Sequence, residues 1–479
     1  MSFALPRIAV DAFAPYTALI VILALLLGGG SRHGFWSDAL LQLAAIPLFI
    51  WALLRLTLAD LSRSARWAIV LLLAILVLPF AQMVPLPPAL WTLLPGRGEI
   101  VSTYQATGMN LPWLSLSLDP AATLRALLSL LPATAVFLAM LSLEMSARHV
   151  MTALILILAF CSVPLDLMQM MGGDQSSLRF YEITNTDRAV GFFANANHNA
   201  ALLYCTIPFA AAWMIGLARD RHKKRFIGIL LLALLIFGAV LGIVLTRSRA
   251  GLALALLGGL CSLAIIWRNG DGRLKPRFLL IGATANLIAL LVAFQFGFAS
   301  YAQRAENNEI VHDLRWPIAH VTAQAAVDNL PFGTGFGSFV PIYQMHTPRT
   351  DVRERYINHA HDDWLELFLT GGVAAAVIAL GFLVWFAILS IRVWRDSPSN
   401  LGILDVPLAQ AASLVVLVWL LHSTVDYPLR TGAISVIFAI ACALLIRDPN
   451  AGRSTEMVAV GEQSSKAHAR EYNPNTRSG

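Results

Sequence analysis

Charge is what this sequence has least of: only 13% of its 479 residues are Asp, Glu, Lys or Arg, about half the share found in soluble globular chains. That scarcity argues against a water-exposed fold, and 57% hydrophobic residues point to lipid as the main solvent. Cysteine is scarce as well. All four (Cys161, Cys205, Cys261, Cys442) sit inside apolar blocks as small apolar side chains, so no disulfide framework is implied. The formal net charge is +6, yet no basic stretch is interleaved with aromatic stacking platforms, which argues against nucleic-acid binding. Nothing before Phe13 resembles a cleavable signal, so the first apolar block is expected to stay as an anchor.

What is present is a series of apolar blocks near the length a bilayer needs, roughly 17 to 25 residues. They run Phe13 to Gly28, Ala39 to Leu58, Trp67 to Val84, Ala122 to Leu143, Val150 to Met171 and Ala200 to Leu217. Six more follow: Phe226 to Leu245, Leu252 to Trp267, Phe278 to Phe298, Trp364 to Ile391, Val406 to Leu421 and Leu429 to Ile446. The expected fold is therefore an all-α integral membrane bundle of about twelve transmembrane helices in one domain, residues 1–446, followed by a polar, unstructured cytoplasmic tail at 447–479.

Lysine and arginine accumulate on the cytoplasmic side of a membrane. The tracts around Arg219 to Arg225 and Arg268 to Arg277 lie two helices apart, which puts both on that side and makes both termini cytoplasmic. All four lysines fall there too. The opposite side has no lysine, but it carries arginines that run against the positive-inside trend, and a guanidinium is suited to gripping phosphate with two parallel hydrogen bonds. The alternative for any one of them is snorkelling to lipid headgroups.

Three outer loops are substantial. Pro85 to Ala121 is stiffened by prolines, and its Trp91 and Trp113 suit a membrane interface. Gly172 to Asn199 carries DRAVGFFANANHNA, where Arg188 and His198 are candidate substrate contacts and Asn195 or Asn197 a candidate helix cap. The longest, residues 299–363 between the ninth and tenth helices, is expected to be partly helical (His312 to Val327), broken at Asn329 and Pro331, with glycines of GTGFGSF allowing tight turns. It ends in NHAHDDW. There His359 or His361 is a candidate general base, Asp362 or Asp363 a candidate N-cap, and the cluster fits no zinc signature. TRSRAG puts Arg247 and Arg249 in a tight outward hairpin, which suits anion binding, and HSTVDYPLR supplies His422, Asp426 and Arg430 at another outer helix junction, where Asp426 is expected to pair with an arginine.

RAVGFFANANHNAALL, TRSRAGLALAL, LRWPIAHVTAQAAVDNLPFGTGFGSF and HAHDDWLELFLTGG, in that order over residues 188–372, resemble the successive motifs of the O-antigen ligase and polymerase superfamily of bacterial inner-membrane proteins. PLPPALW with LSLDPAATL is similar to the first outer loop of many members. The resemblance implies a metal-independent glycosyltransferase without a cofactor, working on the periplasmic face. It would move a glycan from undecaprenyl diphosphate to a hydroxyl of lipid A core, another repeat unit or a protein, in contact with membrane lipids and polysaccharide assembly machinery. It also implies His361 as the histidine opening the tenth helix, with Arg188, Arg247, Arg249 and Arg315 as family arginines. Two departures stand out: Thr370 occupies a place where members often have glutamate, and His359 is a second histidine beside the expected base.

Chemistry points the same way. Outside the cytoplasm a transferase needs a donor already activated, and arginines can stabilise the charge developing on a diphosphate leaving group. Histidine suits removal of the acceptor proton, and direct displacement would invert the anomeric centre. The rival reading is a transporter or flippase of lipid-linked glycans, but such proteins often show internal repeats, and none is evident.

Overall fold

The computed structural model describes residues 12–32, 34–57, 59, 61–219, 225–270, 276, 280, 284, 291, 315–348, 356–395 and 402–446. The expected span Phe278 to Phe298, the first part of the long loop, Arg304, residues 349–355 and the tail at 447–479 lie outside the described residues, apart from the isolated positions just given.

The chain folds as a helical membrane bundle. In chain order its helices are α1 (Phe13–Leu27), α2 (Trp36–Arg55), α3 (Arg63–Gln82), α4 (Pro88–Trp91), α5 (Gly98–Ala106), α6 (Pro120–Ser129), α7 (Leu131–Ser142) and α8 (Met145–Met171). There follow α9 (Ala196–Arg219), α10 (Arg225–Thr246), α11 (Arg249–Asn269), α12 (Arg315–Asp328), α13 (Phe339–His346), α14 (Asp363–Arg395), α15 (Asp405–His422) and α16 (Gly432–Leu444). Among the described residues nine helical segments, one of them α6 continued by α7, are long and apolar enough to cross a membrane, and α1 and α16 are shorter apolar helices. Each of the eleven expected spans outside Phe278 to Phe298 has a helix at its place.

Burial sorts these helices into layers. Most of the apolar window of α9 and α15 is enclosed by other helices, whereas α2 and α3 bury only 22% and 17% of theirs. The remaining faces of α2 and α3, with Leu43, Leu54, Leu73 and Phe80 outward, would be untenable in water and are what a bilayer covers. Starts of helices follow capping chemistry. Asp119 Oδ1 accepts from Ala122 N at 2.9 Å with Pro120 at the first helical position of α6, and Ser248 Oγ accepts from Gly251 N at 3.0 Å to open α11.

The first outer loop is built differently from expectation. Trp91 lies not at an interface but fully buried, its Nε1 donating to Pro112 O at 2.8 Å, because the two-residue strands β1 (Pro85–Leu86) and β2 (Leu114–Ser115) pair antiparallel and fold the loop over it. Trp113 stays exposed. Arg97 is buried in the same loop and donates to the Ser115 and Leu116 carbonyls, so its charge holds backbone together.

The glycine motif locks into a break in α14. Gly372 has φ 60° and ψ −152°, a region essentially restricted to glycine, and the carbonyls freed there need partners inside a membrane protein. They are met by Thr334 N to Leu369 O (3.0 Å), Gly335 N to Thr370 O (2.9 Å) and Gln82 Nε2 to Thr370 O (2.9 Å). Gly333 sits so close that a Cβ would lie 2.6 Å from Gly372 N. Gly372→Ala would put its Cβ 2.3 Å from Pro331 O as well as straining the backbone. We expect it to cost about 2–3 kcal/mol, read as a lower unfolding temperature in detergent; an unchanged melt would show that the break is not needed.

Candidate active site

Five chain segments converge at one end of the bundle: the start of α9, the end of α15, the turn at 423–431, residues 357–362 and the start of α14. Backbone contacts fix them, with Asp363 N donating to Ser423 O at 2.8 Å. Asp362 Oδ1 accepts from Leu365 N at 3.0 Å, so of the two expected caps it is Asp362 that opens α14. At α9, Asn195 Oδ1 accepts from Asn197 N and Asn185 Oδ1 from Ala196 N, each at 2.9 Å.

Two histidine–carboxylate pairs both pack against the Tyr427 ring, whose centroid is 4.3 Å from that of His359 and 5.0 Å from that of His361. His361 Nδ1 lies 3.3 Å from Asp426 Oδ1, and Asp426 also accepts from Asn197 Nδ2 and from Tyr427 N. Burial would raise the Asp426 carboxyl, but the His361 hydrogen bond and the fields of His198, His361 and His422 outweigh it and hold the group well below the usual carboxylate range. An ionised Asp426 accepts hydrogen bonds only. A neutral His361 that donates to Asp426 from Nδ1 has its Nε2 lone pair free to take a proton.

His359 Nδ1 lies 3.1 Å from Glu366 Oε1, while Glu366 Oε2 accepts from Ala360 N at 2.9 Å. Arg430 completes this second group, with Nε 2.7 Å from Asp363 Oδ1 and Nη1 3.0 Å from Glu366 Oε1. Burial would lower the Arg430 guanidinium, but Glu366 and Asp363 raise it above its ordinary value. Arg430 therefore does not pair with Asp426 as the sequence suggested. One turn of 3-10 helix at Pro428–Arg430 carries the guanidinium across to the start of α14. The His359, His361, Asp362 and Asp363 side chains thus take four different partners.

His198 is fully buried between Phe193 and Tyr427, with both ring nitrogens lacking a hydrogen-bond partner among the described residues. His422 bonds Tyr204 OH at 2.9 Å, and Arg315, exposed at the start of α12, is close enough to interact with it electrostatically. Arg188 and Arg247 form a separate exposed group around Asp187, at 3.2 Å and 3.9 Å, tied together by Ala189 N to Leu245 O at 3.2 Å. Arg249, also exposed, begins α11 two residues on. Among the described residues, His361 (φ 55°) and Arg247 (φ 53°) are the non-glycine residues with left-handed backbone, a strain that concentrates at functional sites.

Of the other outward arginines, Arg179 is a brace: it donates to the Asn185 and Arg188 carbonyls at 2.8 Å each. Glu366, Asp363, Tyr427 and Asn197 were not marked as site residues by sequence reasoning. Glu366 had a signal, since a carboxylate one turn inside an apolar helix must find a cation.

A cavity of about 950 Å³ opens beside this site, lined on its polar side by His359, Glu366, Asp363 and Arg430. A smaller one of about 280 Å³ adjoins it and shares His359 and Arg430.

The fold and site define a multi-pass membrane protein with histidine, carboxylate and arginine groups gathered at one end of its helices. Residues 234–380 match the O-antigen ligase family, which supports membership of the O-antigen ligase superfamily. No curated protein matches the chain significantly. The family indicates glycan transfer of the O-antigen ligase kind and a place in polysaccharide biosynthesis. The matched stretch contains Arg247, Arg249, Arg315, His359 and His361, and leaves Arg188, His198, Asp426 and Arg430 outside it.

Proposed function

We propose that the chain transfers a glycan from undecaprenyl diphosphate to an acceptor hydroxyl on the periplasmic face of the bacterial inner membrane, without a metal and with inversion. The observation that carries this reading is the His361–Asp426 pair: an imidazole with its Nδ1 proton held by an ionised, buried carboxylate and its other nitrogen free. His361 is the better base because its side chain is 27% exposed against 8% for His359. The acceptor O–H gives its proton to Nε2 as the oxygen attacks the anomeric carbon. The bond from that carbon to the diphosphate oxygen breaks, and its electron pair leaves with the diphosphate. Arg188, Arg247, Arg249 and Arg315 are the groups we assign to that charge, with His198 shaping the wall behind Tyr427. Arginine without lysine on this side, and lysine on the other, supports the periplasmic orientation and cytoplasmic termini.

The test is purified protein given an undecaprenyl-diphosphate glycan and candidate acceptors: lipid A core, a second lipid-linked repeat unit and a protein hydroxyl. Product with inverted linkage that survives EDTA is expected. Movement of the lipid-linked glycan across a liposome without transfer would instead favour a flippase. Arg247→Lys keeps the charge and loses the fork, so we expect transfer to fall about 10–100-fold; full activity would remove Arg247 from the diphosphate site.

A further inference from the structure

Helix α8 carries a polar stripe that the reading above does not use. Ser162, Asp166 and Gln169 stand four and three residues apart, which puts them on one face of the helix. All three are fully buried, while Ile157, Phe160 and Met168 are exposed on the other side. α8 is long and apolar enough to span the membrane, where a carboxylate and an amide are costly to bury without partners. Their partners lie on two stretches of chain that carry site residues.

Gln169 engages the loop that brings in Arg188 with both ends of its amide. Oε1 accepts from Val190 N and Gly191 N at 3.0 Å each, and Nε2 donates to Gly191 O at 2.9 Å and Leu178 O at 3.1 Å. Gly191 has φ 54° and lies so close to the stripe that a Cβ would collide with Ser162 Oγ and Asn199 Oδ1. Asp166 holds the other stretch. Its Oδ1 accepts from Asn199 Nδ2 at 2.8 Å, and Asn199 Oδ1 accepts from Ser162 Oγ at 3.0 Å. Asn199 is in the first turn of α9, two residues beyond Asn197, the donor to Asp426. α10, which leads to Arg247, passes the stripe at Gly242, where a Cβ would lie 3.1 Å from Asp166 Oδ2.

We infer that this face of α8 is a positioning floor for both halves of the site. Gln169 fixes where Arg188 stands. Asp166, acting through Asn199, fixes the turn from which Asn197 holds Asp426 and so orients His361. What the two halves do rests on the transferase reading; the contacts do not. The halves should fail in different ways. A loosened Arg188 grips the donor less well in ground state and transition state alike, which raises donor KM. A displaced Asp426 misplaces the base, which lowers kcat, and a misplacement of about 1 Å can cost about 10²-fold. The Asn199 bond uses one Asp166 oxygen, and Oδ2 has no hydrogen-bond partner among the described residues. An asparagine at 166 can therefore still make that bond.

Steady-state transfer by the purified full-length protein, together with hydrogen exchange read by mass spectrometry in detergent, tests the floor. Gln169→Met is expected to raise donor KM about 10-fold with kcat within about 3-fold of wild type, and to speed exchange of the Val190 and Gly191 amides. Gln169→Glu keeps the acceptor and loses the donors, so it should give a smaller shift in the same direction. Asp166→Leu is expected to lower kcat about 10–100-fold with donor KM little changed, and Asp166→Asn to return most of that rate. A merely structural stripe would lower the unfolding temperature of these variants and leave KM and kcat of the folded protein at wild-type values. That result, the same kinetic loss in Gln169→Met and Asp166→Leu, or unchanged exchange at Val190 and Gly191 in Gln169→Met would overturn the inference. Faster exchange there in a protein whose wild type transfers no glycan would keep the floor and sink the transferase reading. Transfer by wild type with KM and kcat unchanged in both variants would do the reverse.

Discussion

His361→Ala is expected to lower kcat for glycan transfer by about 10²–10⁴-fold, with the protein still folded and donor binding little changed. The variant removes a partly exposed side chain, so the bundle should tolerate it. Asp426→Asn probes the other half of the pair. The amide can hold the imidazole in the wrong tautomer, donating to Nδ1 and leaving the proton on Nε2, where it cannot accept from the acceptor hydroxyl. In the serine-protease triad the equivalent change costs about 10⁴-fold, and a large loss is expected here. A His361→Ala enzyme at wild-type rate would move the role of base to His359, whose own alanine variant should then be inactive.

The pH profile separates the two partners. The Asp426 carboxyl is depressed below its ordinary value, so its stabilising contacts are fully present above about pH 3.9, the unfolded aspartate value, and fade only as the pH falls through the lower folded value. An acid limb of kcat/KM seen between pH 5 and 7 therefore does not belong to Asp426, and it should appear while the stability that Asp426 supplies is still at its maximum. A limb that coincides with unfolding would contradict this assignment.

The helices were legible in the sequence because length and hydropathy alone select a spanning helix. The partners were not. Asp426 and Arg430 sit four residues apart, and nearness in sequence suggested a pair; in the folded chain each reaches a different element, Asp426 to His361 and Arg430 to Asp363 and Glu366. Which of two nearby carboxylates meets which cation depends on how α14, α15 and α16 pack, and no local pattern carries that. Arg97 and Arg179 show the same limit, since an outward arginine that grips phosphate and one that braces backbone carbonyls look alike in a sequence.

Arg430→Met is expected to destabilise the fold by about 3–5 kcal/mol, the largest stability effect of any single change at the site. Asp363 and Glu366 occupy the first turn of a membrane helix, with side chains 13% and 1% exposed, and both lean on one guanidinium. The helix N-terminus favours their charge, but only modestly beside the cost of two desolvated carboxylates left without a cation. Ser423 Oγ at 3.0 Å and Ala360 N at 2.9 Å satisfy single oxygens and supply no charge. Arg430→Lys should fall between wild type and Met, because an ammonium has no planar fork to span both acids. If uncompensated charge is the cause, adding Glu366→Gln to Arg430→Met should recover part of the loss. Denaturant or thermal unfolding in detergent reads all four proteins; an Arg430→Met variant as stable as wild type would mean that water reaches Asp363 and Glu366 and that the cluster is not the closed unit described above.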